Sequence, residues 1–484
     1  MPHPIIKSIN GNTWTISILE HNTSTIEIKL PIYNKYKIGD FNIYEIRIIR
    51  SDNDFILKYI VNNKSYSIII PSLETNINIL YTSCNQNYQE SVWTKIKSQH
   101  KEQPYHINIG GGDQIYEIND IHPDGIFGLK SLKEWLKLAD NDRCLAEFTP
   151  EMEEEVDKFY LSNYKDKFFK SPEHVNILPN IPGIYMWDDH EIFDGYGSYP
   201  DYIQDCPIMR KIFALAKKYF CMFQLHKDMV DPTINLTSYF KLDDTLLINI
   251  DTRSNRTIHK ILPDAIYSEI FRRISCTNAS NILLNVSTPF IYIDANIVQK
   301  LVKESIVFKS LPMFKDKFNI FRVPEMMDDF VDSWSDSNHI KERHYLISNL
   351  FELINDKSKQ NSKNKCEDKC EDKCEDNPIN IYVITGDVHV GAYGEISFED
   401  KVIKQYISSA IGSTGMTHSM SKIIKLKYDT DHTYNHIHYK LFKQTLDVRF
   451  NWLQIILGPK TIDFIRHNNK PITNKSENSF CIIS

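Results

Sequence analysis

Hydrophobic and polar residues alternate in several short runs over the first 78 positions. An alternation of period two is expected of β-strands that bury one face and expose the other. The runs are Thr13–Leu19, Thr25–Leu30, Asn42–Ile49 and Ser65–Ile70. Asn63 and Lys64 precede the last run, in the position of a hairpin turn. We therefore expect residues 1–78 to form a small all-β domain.

The pattern changes near residue 79 to short apolar strands separated by helices. The predicted helices include Met209–Phe223 and Ile297–Val307. The predicted strands are Ile77–Tyr81, His106–Ile109, Gly183–Trp187, Thr245–Ile250, Ile282–Val286 and Ile379–Thr385. Strands that alternate with helices predict an α/β domain over residues 79–460, and ligands of such domains bind beyond the carboxyl ends of the strands.

One segment of this region, residues 357–377, has a repetitive sequence. It contains Cys366, Cys370 and Cys374, each followed by Glu-Asp. Cysteines at this spacing share one face of a helix and suit a soft metal ion. However, the spacing matches no standard zinc or iron–sulfur pattern, and the tandem repeat favours a disordered, low-complexity insertion.

Composition argues against several classes of protein. The chain has 484 residues, a net charge of -7 and 9 cysteines. There is no basic excess to bind phosphate backbones, so we expect no nucleic-acid partner. The N-terminus lacks the apolar core of a signal peptide, and no apolar run reaches the roughly 18 residues that cross a bilayer. These features predict an intracellular protein that is not secreted.

The C-terminal residues modify this picture. Cys481-Ile-Ile-Ser484 has the Cys-aliphatic-aliphatic-X form that farnesyl transferases recognise, and it ends a polar tail over residues 461–484 that we expect to be flexible. One prenyl chain on Cys481 gives only reversible membrane binding. We therefore expect a cytoplasmic or peripherally membrane-associated protein with a membrane surface as a partner. The alternative is that the motif arose by chance.

Three polar clusters each follow an apolar strand of the predicted α/β domain. They are Gly110-Gly-Gly-Asp113, Asp188-Asp-His-Glu191 and Gly386-Asp-Val-His389. Four adjacent ionisable side chains after a buried strand are costly unless they are paired with metal or with one another. A two-metal site of carboxylates and imidazoles activates water and clamps a phosphoryl group. His190 is then a candidate general acid that protonates the leaving oxygen.

At these positions the sequence resembles the PhoD-like (alkaline phosphatase D-related) metallophosphatases. The matching motifs are Ser83-Cys84-Asn85, Gly112-Asp113-Gln-Ile-Tyr116, Trp187–Pro200, Asp251–Thr257 and Gly386-Asp387-Val388-His389. Their order and spacing hold over most of the chain. The resemblance implies an α/β protein with a four-layer α/β/β/α fold, preceded by a β-sandwich-like domain over residues 1–78.

By motif matching, the resemblance also implies a set of metal ligands. They are Cys84, Asp113, Tyr116, Asp189, Asp387 and His389, with Asp188 as an alternative to Asp189. Asp113 is the expected bridge in a centre of two or more ions. A thiolate and a phenolate together favour Fe(III) at one position, and the remaining oxygen ligands suit Ca(II) or another divalent ion.

Two arginines follow the strand predicted at Thr245–Ile250. The resemblance makes Arg253 and Arg256 candidates for holding the substrate phosphate, because a guanidinium donates two parallel hydrogen bonds to phosphate oxygens. The alternative is a structural ion pair with Asp251 or Asp264.

The leading hypothesis is a metal-dependent phosphoester hydrolase, either a phosphatase or a phosphodiesterase. It would act on a phosphate ester through a metal-activated hydroxide. A rival from another class is a non-catalytic, prenylated, membrane-associated interaction protein that retains the fold. A third interpretation is a glycosidase that uses Asp189 and Glu191 as a carboxylate pair and needs no metal.

Overall fold

The computed structural model describes residues 2–116, 125–229, 231–292, 333–360, 379–414, 421 and 431–469. Nine strands of these residues form the first sheet. They are β1 (His3–Asn10), β2 (Thr13–His21), β4 (Asn34–Ile38), β5 (Phe41–Ile49), β8 (Ile77–Thr82), β9 (Ile107–Gly111), β10 (Gly183–Met186), β19 (Asn451–Gly458) and β20 (Thr461–Asn468). Their order in the sheet is β20-β19-β8-β9-β10-β1-β2-β5-β4, and the central strands β8, β9, β10 and β1 are parallel.

A second sheet contains eight strands of the described residues. They are β11 (Ser238–Leu242), β12 (Thr245–Ile250), β13 (Asn281–Val286), β14 (Asn380–Thr385), β15 (Gly391–Phe398), β16 (Lys401–Ser408), β17 (Asp431–Tyr434) and β18 (Ile437–Leu441). The order is β11-β12-β13-β14-β16-β15-β18-β17, with β12, β13, β14 and β16 parallel. A small third sheet has the order β3-β6-β7 and consists of β3 (Ile26–Ile28), β6 (Phe55–Val61) and β7 (Lys64–Ile70).

Helices cover the outer faces of the two large sheets. They are α1 (Glu90–Glu102), α2 (Lys130–Leu136), α3 (Asp140–Leu145), α4 (Pro150–Lys170), α5 (Pro172–Asn176), α6 (Asp201–Gln204), α7 (Pro207–Gln224), α8 (Asp264–Cys276) and α9 (Ile340–Gln360). One core packs α4 and α7 against the first sheet, and another packs α8 and α9 against the second. A third core lies between the sheets and joins residues such as Ile107 and Leu283. The four-layer α/β/β/α fold is therefore confirmed.

The strands before residue 78 are divided between two sheets. β1 pairs with β10 in parallel, so β1, β2, β4 and β5 continue the first large sheet, while β3, β6 and β7 form the small sheet. The predicted boundary at residue 78 consequently does not separate one sheet from another. The predicted hairpin turn is also shifted by one residue. The turn consists of Asn62 and Asn63, both with positive φ, and Lys64 already belongs to β7.

Several predictions concern residues that the structure does not describe. The helix predicted at Ile297–Val307 lies outside the described residues, as do Cys366, Cys370, Cys374 and Cys481. At the start of the predicted insertion, residues 357–360 belong to α9. The predicted flexible tail also begins too early, because Thr461–Asn468 form β20 and pair with β19. Prenylation of Cys481 stays a prediction. Within the described part of the chain, we find no helix with the length and apolar character needed to span a membrane.

Two histidines, the buried His106 and the partly buried His100, accept hydrogen bonds from backbone N–H groups of β8 and of the segment between α1 and β9. The Asn78 N–H donates to His106 Nδ1 at 2.9 Å, and the Tyr105 N–H donates to His100 Nδ1 at 3.0 Å. Burial lowers the pKa of each histidine to about 4. Both side chains are therefore neutral in the folded protein at neutral pH, and protonation of Nδ1 would remove the acceptor.

We expect the stability of the fold to decrease as the pH falls from about 6.5 towards 4. Over that range the unfolded chain binds protons that the folded chain does not, so each such histidine costs about 1.4 kcal/mol per pH unit. Urea unfolding at a series of pH values measures this slope. The slope should become shallower by about this amount in His106→Gln and stay unchanged in His438→Gln, a half-exposed control. Equal slopes in all three proteins would contradict the assignment.

Candidate metal centre

The candidate site lies where loops from the two large sheets meet. Cys84 follows β8, Asp113 follows β9 and Asp188 follows β10, all at the carboxyl ends of parallel strands in the first sheet. Asp387 follows β14 of the second sheet. The two sets of loops are in close contact, because a Cβ on Gly386 would lie 2.5 Å from the Ser83 Oγ. The fold thus brings together all three predicted polar clusters.

Four residues of these loops have left-handed backbone conformations. The φ angles are 52° at Cys84, 57° at Asp113, 66° at Asp387 and 51° at His389. This region is unfavourable for residues other than glycine. Strain of this kind is concentrated at functional sites, where the surrounding structure maintains it.

The side chains form three overlapping groups of metal-ligating atoms. The first is Cys84, Asp113 and His389, the second is Asp113, Asp189 and His190, and the third is Asp113, Asp188, Asp189 and Asp387. Within each group the ligand atoms lie within 4.8 Å of one another. Asp113 belongs to all three groups, so its carboxylate occupies the middle of the cluster.

The electrostatics of Asp113 fit a site for cations. Its Oδ1 is buried and has no hydrogen-bond partner among the residues that the structure describes. Burial, followed by the negative charges of Asp188, Asp189, Glu191 and Asp387, raises the pKa of Asp113 well above its usual value. Bound cations would compensate this concentration of negative charge and provide the missing partner.

A thiol, a phenol and an imidazole surround the other oxygen of Asp113. Asp113 Oδ2 accepts hydrogen bonds from the Cys84 Sγ at 3.5 Å and the Tyr116 hydroxyl at 3.3 Å. The Tyr116 hydroxyl is also 3.1 Å from His389 Nε2. Burial raises the pKa of Cys84 and of Tyr116 and lowers that of His389 to about 4. This side of the cluster therefore contains one sulfur, one phenol oxygen and one neutral imidazole.

His190 lies at the accessible side of the cluster. Its ring stacks on Tyr116 with 4.0 Å between the ring centroids, and its Nε2 is 3.7 Å from Asp194 Oδ1. The side chain of His190 is 18% exposed. The imidazole is thus next to the cluster and still open to solvent, as a group that exchanges protons with a substrate must be.

The ion-pair partners of Arg253 are not the ones predicted from the sequence. Its side chain is fully buried and makes an ion pair with Asp188, a 3.5 Å contact with Asp189 Oδ1 and a 2.8 Å hydrogen bond to the Tyr196 carbonyl. Asp251 instead accepts the backbone N–H of Arg253, at 3.1 Å. The guanidinium therefore neutralises acidic residues of the cluster, and these contacts do not favour the predicted role of Arg253 in holding phosphate.

Arg256 is also buried, and its side chain passes over Gly197. A Cβ on Gly197 would lie 2.5 Å from the Arg256 Cδ, and φ at Gly197 is 104°. Glycine is therefore required there for two independent reasons. The other predicted ion-pair partner, Asp264, binds Lys260 at 2.8 Å. Contact between Arg256 and a substrate phosphate stays a prediction.

Sequence reasoning missed the roles of two buried carboxylates. Glu191 accepts backbone N–H groups from the loops that carry Asp113 and Asp188, so it does not face an open cleft as one half of a glycosidase pair with Asp189. Asp251 accepts the Trp187 indole N–H at 2.7 Å and two backbone N–H groups of its own loop. The available signal was the cost of burying adjacent charges, which indicates compensation without showing its source.

Two facing sheets, covered by helices and with a cluster of acidic residues at their strand ends, form a metallophosphoesterase-like fold. The sequence model of the family described as PhoD related phosphatase matches residues 85–321. The predicted resemblance to the PhoD-like phosphatases is therefore confirmed.

The chain is also similar to a yeast protein and to two solved structures. Uncharacterized protein YGR266W of Saccharomyces cerevisiae is 26% identical over 456 residues, which cover 80% of this chain and 61% of that protein. The chain therefore spans less than two thirds of that relative's length. The structure of PhoD has a TM-score of 0.55 at 12% identity and covers 99% of this chain and 92% of its own. Purple acid phosphatase PPD1 from yellow lupin (Lupinus luteus) seeds has a TM-score of 0.51 at 8% identity, with 97% and 72% covered. At these identities the structural likeness shows the fold.

Proposed function

We propose that the chain is a metal-dependent phosphoester hydrolase whose metal centre surrounds Asp113. The observation that carries the proposal is the position of Asp113, which all three groups of ligand atoms share and whose buried Oδ1 has no hydrogen-bond partner in the described part of the chain. The proposed ligands are Cys84, Asp113, Tyr116, Asp189, Asp387 and His389. When bound, the metal ions supply an activated water and neutralise charge on the phosphoryl oxygens.

The proposed centre contains two chemically different sets of donor atoms. Cys84 and Tyr116 provide sulfur and phenol oxygen on one side of Asp113, a donor set that favours Fe(III). Asp189 and Asp387 provide carboxylate oxygens in another of the groups around Asp113, and these suit Ca(II) or another hard divalent ion. Asp113 would help to hold both ions, because it belongs to all three groups of ligand atoms.

Asp188 and Asp189 have different surroundings, which supports Asp189 as the ligand. Asp188 is the closer ion-pair partner of Arg253, and both side chains are almost fully buried. Asp189 accepts the Gly195 N–H with Oδ2 at 2.8 Å, and only a 3.5 Å contact joins its Oδ1 to Arg253. Burial acts to raise the pKa of Asp189, but Arg253, His190 and the Gly195 amide together lower it. An ionised carboxylate in this position is ready to bind a cation.

His190 is the proposed proton donor to the leaving oxygen. Stacking on Tyr116 orients the imidazole, and Asp194 lies near Nε2. Because the side chain is partly exposed, the leaving group of a substrate can reach it. A proton transferred at this position removes the need to expel a charged alkoxide.

The experiment is hydrolysis by the purified full chain of p-nitrophenyl phosphate, a monoester, and bis(p-nitrophenyl) phosphate, a diester. We expect hydrolysis of at least one ester, loss of that activity after chelation, and recovery after iron, calcium or manganese is restored, because the ions activate the water. Activity that survives chelation would contradict the metal-dependent mechanism. Metal binding without turnover of either ester would favour the non-catalytic interaction protein.

A further inference from the structure

The buried carboxylate of Glu191 connects the two strand ends that carry Asp113 and Asp188. We infer that Glu191 is a positioning residue, which acts through these two loops to hold the acidic cluster in its metal-binding arrangement. The inference rests on the proposed metal centre, but it concerns a residue outside the groups of ligand atoms found among the described residues. Glu191 itself is fully buried.

The need for Glu191 arises where the pairing of β9 with β10 ends. The last paired residues are Gly111 and Met186, so Asp113 and Asp188, each two residues further along the chain, lie beyond the end of the ladder. Glu191 Oε2 accepts the N–H of Asp113 at 2.9 Å and that of Asp188 at 2.8 Å. One carboxylate oxygen therefore continues the connection between the two strands beyond the end of the ladder.

The second carboxylate oxygen of Glu191 also accepts two hydrogen bonds, one of them from the loop that carries Asp113. Oε1 accepts the Gln114 N–H at 2.7 Å and the Gln224 Nε2–H at 3.2 Å. Each oxygen thus has two donors, which uses the acceptor capacity of an ionised carboxylate. A neutral amide cannot replace this arrangement, since its NH₂ group would face N–H donors.

Direct contact makes the two loops sensitive to each other's position. A Cβ on Gly112 would lie 2.7 Å from the Asp188 Cβ, and φ at Gly112 is 100°. Glu191 is also the last residue of the short 3-10 turn Asp189–Glu191, which contains Asp189 and His190. A shift of the Glu191 carboxylate consequently moves Asp113 and Asp188 directly and Asp189 through the turn.

The test is a titration of the full chain with Mn²⁺. The chain is first treated with chelator, and binding is then monitored by electron paramagnetic resonance. We expect Glu191→Gln to bind Mn²⁺ about 10–100-fold more weakly than the unchanged protein, the range typical for residues that orient metal ligands. Glu342→Gln is the matched control. Glu342 also accepts two backbone N–H groups, from Ile261 and Leu262, but it lies outside the acidic cluster. Its replacement should leave Mn²⁺ affinity unchanged.

The outcomes separate this inference from the proposed function. If the unchanged protein binds no Mn²⁺, Co²⁺ or Fe²⁺, the proposal of a metal centre is contradicted. If the unchanged protein and Glu191→Gln bind Mn²⁺ equally, only the positioning role is overturned. Should Glu191→Gln fail to fold, Gln224→Met provides the second test, because it removes one donor to Glu191 and leaves the carboxylate in place. A weaker Mn²⁺ affinity in that variant supports the role, and an unchanged affinity contradicts it.

Discussion

Replacement of Asp113 by asparagine is expected to lower kcat for phosphate-ester hydrolysis by about a thousandfold. The physical reason is that Asp113 belongs to every group of ligand atoms in the cluster. An amide has nearly the shape of the carboxylate but no negative charge, so it binds a cation much more weakly. The measurement is steady-state hydrolysis of whichever p-nitrophenyl ester the unchanged protein accepts, at saturating metal.

Asp157→Asn is the control for this substitution. Asp157 makes an ion pair with Lys218 on the outer helices, at 2.6 Å, and both side chains are partly exposed. The same chemical change there should leave kcat unaltered. A kcat for Asp113→Asn within about tenfold of the unchanged protein would place the reaction somewhere other than this cluster.

Arg253→Met should reduce the free energy of unfolding by about 3–5 kcal/mol in metal-free protein. The substitution removes the fully buried guanidinium that pairs with Asp188 and contacts Asp189, and it leaves their charges uncompensated. Added Mn²⁺ should restore part of the loss, because a cation in the cluster replaces some of the missing positive charge. Urea unfolding with and without chelator measures both effects.

Arg272→Met is the matched control for Arg253. Arg272 pairs with Glu269 one helical turn away, and its side chain is 55% exposed. Removal of this exposed pair should have little effect on the free energy of unfolding. Equal losses in the two arginine variants would show that Arg253 does not stabilise the buried carboxylates.

The parallel strands of the two large sheets were predictable because they are buried on both faces and therefore consist of nearly uninterrupted apolar residues. β12 has the predicted bounds, Thr245–Ile250, and β14 begins one residue later than predicted, at Asn380. The pairing of β1 with β10 was not predictable in this way. It joins Ile5 to Gly183, and nothing in the local pattern of either strand identifies a partner so distant in sequence. Alternation therefore identified four of the N-terminal strands, β2, β3, β5 and β7, but it missed β1, β4 and β6 and assigned none of them to a sheet.

The candidate site was predictable as far as its residues follow strand ends. Parallel strands bring their carboxyl ends to one edge, so Asp113 and Asp188 had to lie close together. The direction of each buried side chain depends instead on loop conformation, as at Cys84 and Asp387 with their positive φ angles. This is why the sequence suggested Asp251 or Asp264 as an ion-pair partner of Arg253, whereas the structure pairs it with Asp188.

The most direct test of the proposed function is the metal content per chain, measured by elemental analysis of the purified protein beside Asp113→Asn and Asp157→Asn. The proposal predicts near-stoichiometric or greater metal in the unchanged protein and in Asp157→Asn, and strongly reduced metal in Asp113→Asn. An unchanged protein that is metal-free and also resists reconstitution with iron, calcium and manganese would contradict the proposal of a metal-dependent hydrolase.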